Sequence, residues 1–346
     1  MTDKGLPVRF GHTASNALRP MLIGALAAST WAAFNAGAAT RLAQGPGATP
    51  AEPMEELVVE GRHEGPRMWT VRSGEHTLWI LGTISPLPKK MVWQPDAVEE
   101  VLKQTQEVVP AWPAYGIGAN PITALRVYIA WRHLQKPPDN LPLSESLPAP
   151  LYARVEALKV RYAPHDTKIE KMRPMLAARE LLLKVFDAAG LAVRNEVQQE
   201  VLSLAGRRGV RVHQDKLRID DPVDVLKDVG ATPLAGEVAC LDAVVTLLET
   251  DLANMQARAR AWALGDVETL RQLPHADDRT ACITAVSTSE RVRKLIARAQ
   301  DNWLIAVTDS LAHNRGTLAV QSMDRLLGEH GRLATLRARG YRVEGP

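Results

Sequence analysis

The chain has 346 residues, of which 42 are Lys or Arg and 39 are Asp or Glu, so its formal charge is +3. This near-balance argues against a nucleic-acid-binding protein, which usually carries a clear basic excess. Two cysteines exclude a disulfide-dense scaffold and any zinc or iron–sulfur site built from four cysteines. The length allows one large domain or two small ones, each with an ample core.

The N-terminus has the pattern of a secretory signal peptide. Basic residues precede a short apolar run at 21–34, and small residues end at Ala38 and Ala39. We therefore predict a signal peptide over residues 1–39 and a periplasmic or secreted mature protein. The alternative is an uncleaved anchor over 21–39, which would then be the attachment of the chain to a membrane.

Export also changes what the two cysteines predict. In an oxidising compartment Cys240 and Cys282 are candidates for an intramolecular disulfide, and two buried free thiols are the alternative. Removal of residues 1–39 takes away three basic residues and one acidic residue, so the formal net charge of the mature chain is closer to zero. No nucleic-acid partner is expected.

Residues 40–66 are predicted to be a flexible linker and a first strand, because Gly, Pro and Ala dominate the first half of this segment. Strands are predicted next at 68–71 and 77–81. The second is almost continuously apolar, as expected for a strand buried on both faces. A helix from Pro95 and a short strand at 108–109 complete a strand–helix–strand unit, which favours a parallel pair.

The middle of the chain is predicted to be helical, and the C-terminus returns to strands. Apolar spacing predicts helices at 121–135, 148–161, 174–189, 196–207, 234–263 and 289–313, and closing strands at 317–320 and 341–343. The glycines of 116–118 are predicted to lie in a turn. The fold class is therefore α/β, with one domain over 67–346 whose sheet combines N- and C-terminal strands around a large helical middle.

The sequence has no common catalytic motif. No two of the nine histidines have metal-ligand spacing on a helix with a carboxylate, and there is no nucleophile elbow, P-loop or dinucleotide-binding glycine motif. Ser85 follows the strand at 77–81, where loops often carry chemistry, but the sequence offers it no partnered histidine as a base. A basic cluster at 291–298 is predicted to be a solvated helix face, supported by a Glu290–Lys294 ion pair. Core or groove positions are predicted for Trp93, Trp112, Trp131 and Trp303.

Segments near the two ends of the chain together resemble the TraB/GumN family. They are 78–85 (LWILGTIS), 107–109 (EVV), 317–320 (TLAV), 328–331 (GEHG) and 336–343 (LRARGYRV). The pair Asn302-Trp303 lies in a helix that corresponds to the Arg/Asn-rich helix of the family. The resemblance implies a hydrolase-like site at the edge of an α/β sheet, where two Gly-x-x-His motifs and one glutamate are the proposed ligands of a divalent metal. Tiki-type relatives are described as metalloproteases, whereas many members of the GumN type have no established substrate.

The chain departs from this pattern at every proposed ligand. The positions equivalent to the family site are Gly82, Ser85, Ala111, Ser322 and Arg325. The first glycine is kept, but serine and arginine replace the two histidines, alanine replaces the glutamate, and serine replaces the second glycine. A serine hydroxyl is a poor ligand for zinc, and a guanidinium is permanently cationic with no lone pair to give.

The resemblance and these departures together predict a non-catalytic, exported TraB/GumN-like protein with no metal or other cofactor. Such a protein would bind a peptide, a glycan or a protein partner, and Ser85, Arg325 and Asn302 are the candidate binding residues. An anion or a carboxylate is the chemistry that Arg325 beside Ser85 would recognise.

Two catalytic alternatives are open at this stage. A metal-dependent hydrolase with relocated ligands would draw on Asp324, His330, His76 and His213, which would have to converge on one point. A metal-free hydrolase would instead use Ser85 as its nucleophile.

Overall fold

The computed structural model describes residues 65–117, 120–192, 196–214, 216–273, 278–328 and 330–345. The predicted signal peptide and all but the last two residues of the predicted linker and first strand lie outside this part of the chain. The strands are β1 Met68–Ser73, β2 His76–Thr83, β3 Leu87–Pro88, β4 Glu107–Val109, β5 Ala114–Ile117, β6 Leu191–Ala192, β7 Arg211–Val212, β8 Lys216–Ile219, β9 Gly316–Ser322 and β10 Arg342–Glu344.

Helices occupy most of the chain between β4 and β9. The α-helices are α1 Asp96–Leu102, α2 Pro121–Leu134, α3 Leu143–Ser146, α4 Ala149–Tyr162, α5 Pro174–Ala188, α6 Glu196–Arg207, α7 Pro222–Gly230, α8 Leu234–Thr250, α9 Leu252–Ala263, α10 Val267–Gln272, α11 Asp278–Val286, α12 Glu290–His313, α13 Met323–Leu326 and α14 Arg332–Ala338. Proline in the first turn begins α2, α5 and α7, because its fixed φ suits a position whose N–H has no helical partner. Gly190, at φ +71°, follows the end of α5.

The main sheet has the strand order β10-β1-β2-β9-β4-β7. Strands β2, β9, β4 and β7 are parallel, and β1 and β10 add antiparallel strands at one side. The C-terminal strand β9 therefore lies between the N-terminal strands β2 and β4. This confirms the predicted α/β class and the prediction of a sheet built from both ends of the chain.

The buried strands explain this arrangement. Leu78, Ile80 and Leu81 of β2, and Leu318 and Val320 of β9, have no exposed surface. Strands buried on both faces need helices on both sides, as is usual for parallel sheets. The core that results contains side chains from α1, α6, α9 and α12.

Two local predictions were wrong. Gly116 lies in strand β5, which pairs in parallel with β8 at Gly116–Arg218, and not in a turn. The predicted helix at 234–263 is two helices, because the chain breaks at Asp251 (φ −116°, ψ −7°). The Asp251 carboxylate is buried and accepts hydrogen bonds from Asn254 and Arg258, which anchors the start of α9.

A second apolar core lies among the helices, with side chains from α4, α5, α8 and α11. Within it the guanidinium of Arg173 binds the carboxylate of Glu237, and both side chains are buried. A disulfide joins Cys240 of α8 to Cys282 of α11, with a Cα–Cα distance of 4.4 Å. This core is therefore held by an ion pair and a covalent link as well as by packing.

In the described residues no single helix has both the length and the apolar character needed to span a bilayer. The pair α7 and α8 meets these criteria jointly, but it is bent by 85°.

Candidate functional site

Strands β2, β9 and β4 end at the same edge of the sheet. Thr83 at the end of β2 is opposite Ser322 at the end of β9, and Val109 at the end of β4 is opposite Ala319. Parallel strands place their carboxyl ends together, and ligand sites of open α/β sheets lie at this edge. We call this region, together with the segments that follow the three strands, the carboxyl edge; Gly82, Ser85, Ala111, Ser322 and Arg325 belong to it.

Gly82 is required by packing. A Cβ at this position would overlap the sulfur of Met323 and the ring of Trp69. Its carbonyl oxygen accepts a hydrogen bond of 2.7 Å from Nε1 of Trp262, a buried residue of α9. The absence of a side chain at Gly82 thus lets Met323 of α13 and Trp69 of β1 pack closely against β2.

Arg325 of α13 stacks on Trp112, which follows Ala111 directly. The guanidinium carbon lies 4.1 Å from the centroid of the indole ring, within the range of a cation–π interaction. The indole is 42% exposed, so the pair lies at the protein surface. Arg325 follows β9 and Trp112 follows β4. Their contact therefore joins the segments that follow two strands at the carboxyl edge.

Ala111 is buried beside this pair. Its backbone N–H donates a hydrogen bond of 2.8 Å to Oε1 of Gln198 on α6. Its side chain is a methyl group with 5% of its surface exposed. Ala111, which the resemblance places at a glutamate of the family pattern, therefore contributes a packed methyl group and a backbone hydrogen bond.

The other two predicted binding residues lie on neighbouring elements. Ser85 is exposed in the bend between β2 and β3. Asn302 is half-buried on α12, next to Trp303, whose Nε1 donates a hydrogen bond of 3.0 Å to the carbonyl oxygen of Val320 in β9. Asn302 therefore lies on a helix that is fixed to the central strand of the sheet.

Comparison with known proteins agrees with this architecture. The sequence model of the TraB/PrgY/gumN family matches residues 67–345, which is most of the chain. The chain belongs to the TraB/PrgY/gumN family. Searches of curated proteins and of solved structures returned no match.

The residues at the carboxyl edge do not fit the divalent metal that membership of the TraB/PrgY/gumN family implies. Ser85 offers a neutral hydroxyl, Ala111 offers no side-chain donor, and Arg325 offers a positive charge. A catalytic zinc site normally has about three protein ligands drawn from His, Cys and carboxylates. Within the described ranges, no three such side chains are grouped so that they could hold a metal ion.

The candidates for relocated ligands do not come together either. His76 lies at the start of β2, at the other end of that strand from the carboxyl edge, and its Nδ1 lies 2.7 Å from the carbonyl oxygen of Leu311. His213 lies 3.2 Å from the carboxylate of Glu107. Asp324 and His330 are exposed in the segment after β9. The described residues therefore give no support to a relocated metal site.

Glu107, at the first position of β4, is a buried carboxylate. The sequence indicated it only as part of the segment 107–109 that carries the family resemblance. It accepts hydrogen bonds from Ser310 (2.8 Å) and Asn314 (2.9 Å) on one oxygen, while Arg211 and His213 lie at 3.2 Å from the other. Burial raises the pKa of Glu107, but the hydrogen bonds from Ser310, Arg211, His213 and Asn314 outweigh burial and hold the pKa below its usual value of 4.5. The signal in the sequence was a charged residue at the start of an apolar strand.

Two residues that contact the carboxyl edge, Trp262 and Gln198, come from distant parts of the chain. Trp262 and Gln198 bond the backbone of residues 180 and 87 positions away, so no local pattern indicates their role. Trp112 was predicted to be a core or groove aromatic, and the structure places it at the surface under Arg325.

Proposed function

We propose that this chain is an exported, non-catalytic member of the TraB/PrgY/gumN family that binds a carboxylate-bearing ligand at the carboxyl edge. The observation that carries this proposal is the stack of Arg325 on Trp112, at the position equivalent to a family histidine. Stacking occupies a face of the guanidinium, while its N–H donors lie in the plane, where a carboxylate accepts two parallel hydrogen bonds. The indole adds an apolar surface for the rest of the ligand.

Peptides and acidic glycans both supply this chemistry, through a C-terminus or acidic side chain in one case and a uronic acid in the other. Ser85 and Asn302 lie on the elements that follow and support β2 and β9, and they are the proposed additional polar contacts. The same site would serve a protein partner that presents a carboxylate.

Export is the second part of the proposal. It is supported by the signal-peptide pattern of residues 1–39 and by the disulfide between Cys240 and Cys282, since disulfides persist mainly in oxidising compartments. N-terminal sequencing of the protein from cell fractions should find Thr40 or Ala39 at the start of the periplasmic or secreted form. Recovery of the intact chain from the cytoplasm alone would contradict export.

The binding experiment uses two arrays, one of peptides with free C-termini or acidic side chains and one of uronic-acid oligosaccharides. Amidated peptides and neutral oligosaccharides are the ligand controls. We expect Arg325→Ala to abolish binding while the melting temperature falls by no more than about 2–4 °C, because the lost cation–π contact is a surface interaction. Arg325→Lys keeps the charge but loses the planar fork, and should bind weakly. Binding that is unchanged in Arg325→Ala, or equal for neutral and acidic ligands, would refute the proposal.

A further inference from the structure

Helix α2 has an unusually exposed apolar surface. Five of the twelve large apolar residues that are exposed in the described ranges lie on this one helix of 14 residues: Ile122, Leu125, Tyr128, Ile129 and Trp131. Ile122 is 71% exposed and Leu125 and Tyr128 are each 59% exposed. Leu134 is the buried residue of the helix, which packs on α7. A surface of this kind on a folded protein indicates an interaction site.

The polar residues of α2 have one sign of charge. The helix contains Arg126, Arg132 and His133 and has no Asp or Glu. A groove of about 700 Å³ runs beside it against α7, and its lining includes Arg126, Lys136, Arg173 and Lys227 but no acidic residue among those described. Glu237 pairs with Arg173, and Asp224 pairs with Lys227 and also attracts Arg126, so the four cations of the groove outnumber these two acids.

We propose that α2 docks this face onto a membrane surface that contains anionic phospholipids. Exposed aliphatic residues with Trp and Tyr and with basic neighbours are the composition of interfacial helices, which lie in the plane of the bilayer. Arg126, Arg132 and Lys136 supply the attraction to anionic headgroups. This inference is independent of the ligand proposed for the carboxyl edge.

The shape and charge of the face favour a membrane over a protein. The apolar side chains stand out from a convex helix, which suits a planar and deformable surface, whereas a helix that binds protein usually enters a concave groove. Pairing of α2 with the α2 of a second copy would bring together two helices that each carry Arg126, Arg132 and His133 and no acid. Like-charge repulsion of this kind disfavours self-association.

The first experiment measures sedimentation of the full chain with vesicles of equal parts phosphatidylcholine and phosphatidylglycerol, and with vesicles of phosphatidylcholine alone. The double variant Ile122→Glu/Leu125→Glu should lower partitioning onto the anionic vesicles at least about tenfold, because it removes apolar contact and adds two negative charges. Ile305→Glu is the matched control, since Ile305 on α12 is 60% exposed, and it should partition like the unmodified chain. Binding should weaken as salt is raised.

The second experiment separates α2 from residues 1–39, which carry an apolar segment of their own. A polarity-sensitive fluorophore on Tyr128→Cys should shift to the blue with anionic vesicles and be quenched by a nitroxide lipid, whereas the same probe on Ile305→Cys should not respond. A silent probe at position 128, or equal partitioning of the double Glu variant, would overturn the proposal. So would a dimer in the absence of lipid that Ile122→Glu/Leu125→Glu converts to monomer.

Discussion

At the scale of single residues, the positions that the resemblance assigns to a metal site make packing contacts or carry a positive charge. Gly82 provides space for Met323 and Trp69, Ala111 contributes a buried methyl group and a backbone hydrogen bond, and Arg325 stacks on Trp112. Each of these contacts is made between protein groups. The residue types are therefore explained by packing and by a surface cation.

Gly82→Ala should destabilise the protein by about 1–3 kcal/mol, because the new methyl group overlaps Met323 and Trp69 in a packed core. Gly206→Ala is the control. A Cβ on Gly206 meets no atom within 4 Å, and alanine in the last turn of α6 should leave the stability unchanged or raise it slightly, because alanine has the higher helix propensity. Urea unfolding of both variants measures the difference, and equal stability of the two would show that Gly82 is not held by packing.

Glu107 should make stability depend on pH in the acid range. Its pKa in the folded protein lies below the usual value of 4.5, so the unfolded chain binds the proton more tightly. The stability that Glu107 contributes is therefore present above about pH 4.5 and is lost as the pH falls through the lower pKa of the folded state. Glu107→Gln should unfold more easily than the unmodified chain at pH 7, and the difference should narrow below pH 4.5. A difference that is constant with pH would contradict this account.

At the scale of elements, the sequence predicted the helices and strands better than their contacts. Prolines in the first turn and apolar spacing located α2, α5 and α6 to within a residue or two, because these signals act within one helix. The sequence did not predict the break at Asp251, because it depends on the hydrogen bonds that this buried carboxylate accepts from Asn254 and Arg258.

The strand order and most of the candidate site required the tertiary structure. The unit β2–α1–β4 was predicted as a parallel pair, and the strands are parallel, but β9 lies between them. The sequence has no local signal for such an insertion, since β9 is more than 200 residues away. The resemblance proposed Gly82, Ala111 and Arg325 as site positions, and this assignment stays a prediction. The residues that bond the backbone of Gly82 and Ala111, Trp262 and Gln198, were not predicted, because they are distant in the sequence.

The disulfide should make α8 and α11 a covalently linked unit of the second core. Cys240 and Cys282 are separated by 42 residues, and closing a loop of this size typically stabilises a fold by about 2–4 kcal/mol. Non-reducing peptide mapping should recover the two peptides linked, and Cys240→Ser/Cys282→Ser should unfold at lower urea concentration. Free thiols at both positions in protein from an oxidising fraction would contradict this prediction.

At the scale of the whole molecule, the proposals rest on two surfaces and one core. The carboxyl edge carries Arg325 on Trp112, the second core carries the disulfide, and α2 presents an apolar, basic face. An exported protein with a carboxylate site and a helix on the membrane would collect its ligand at the membrane surface. The chain belongs to the TraB/PrgY/gumN family, and recognition of a carboxylate at the carboxyl edge is the function proposed for it.

The central claim is that this family member does not hold a catalytic metal, and its metal content tests the claim most directly. Elemental mass spectrometry of the purified full chain, after dialysis against metal-free buffer, should find less than about 0.1 equivalent of zinc, manganese or another transition metal, because the donors at the carboxyl edge are a hydroxyl, a methyl group and a guanidinium. A value near one equivalent that survives dialysis would contradict the account, since it would require a set of protein ligands other than the residues at this edge.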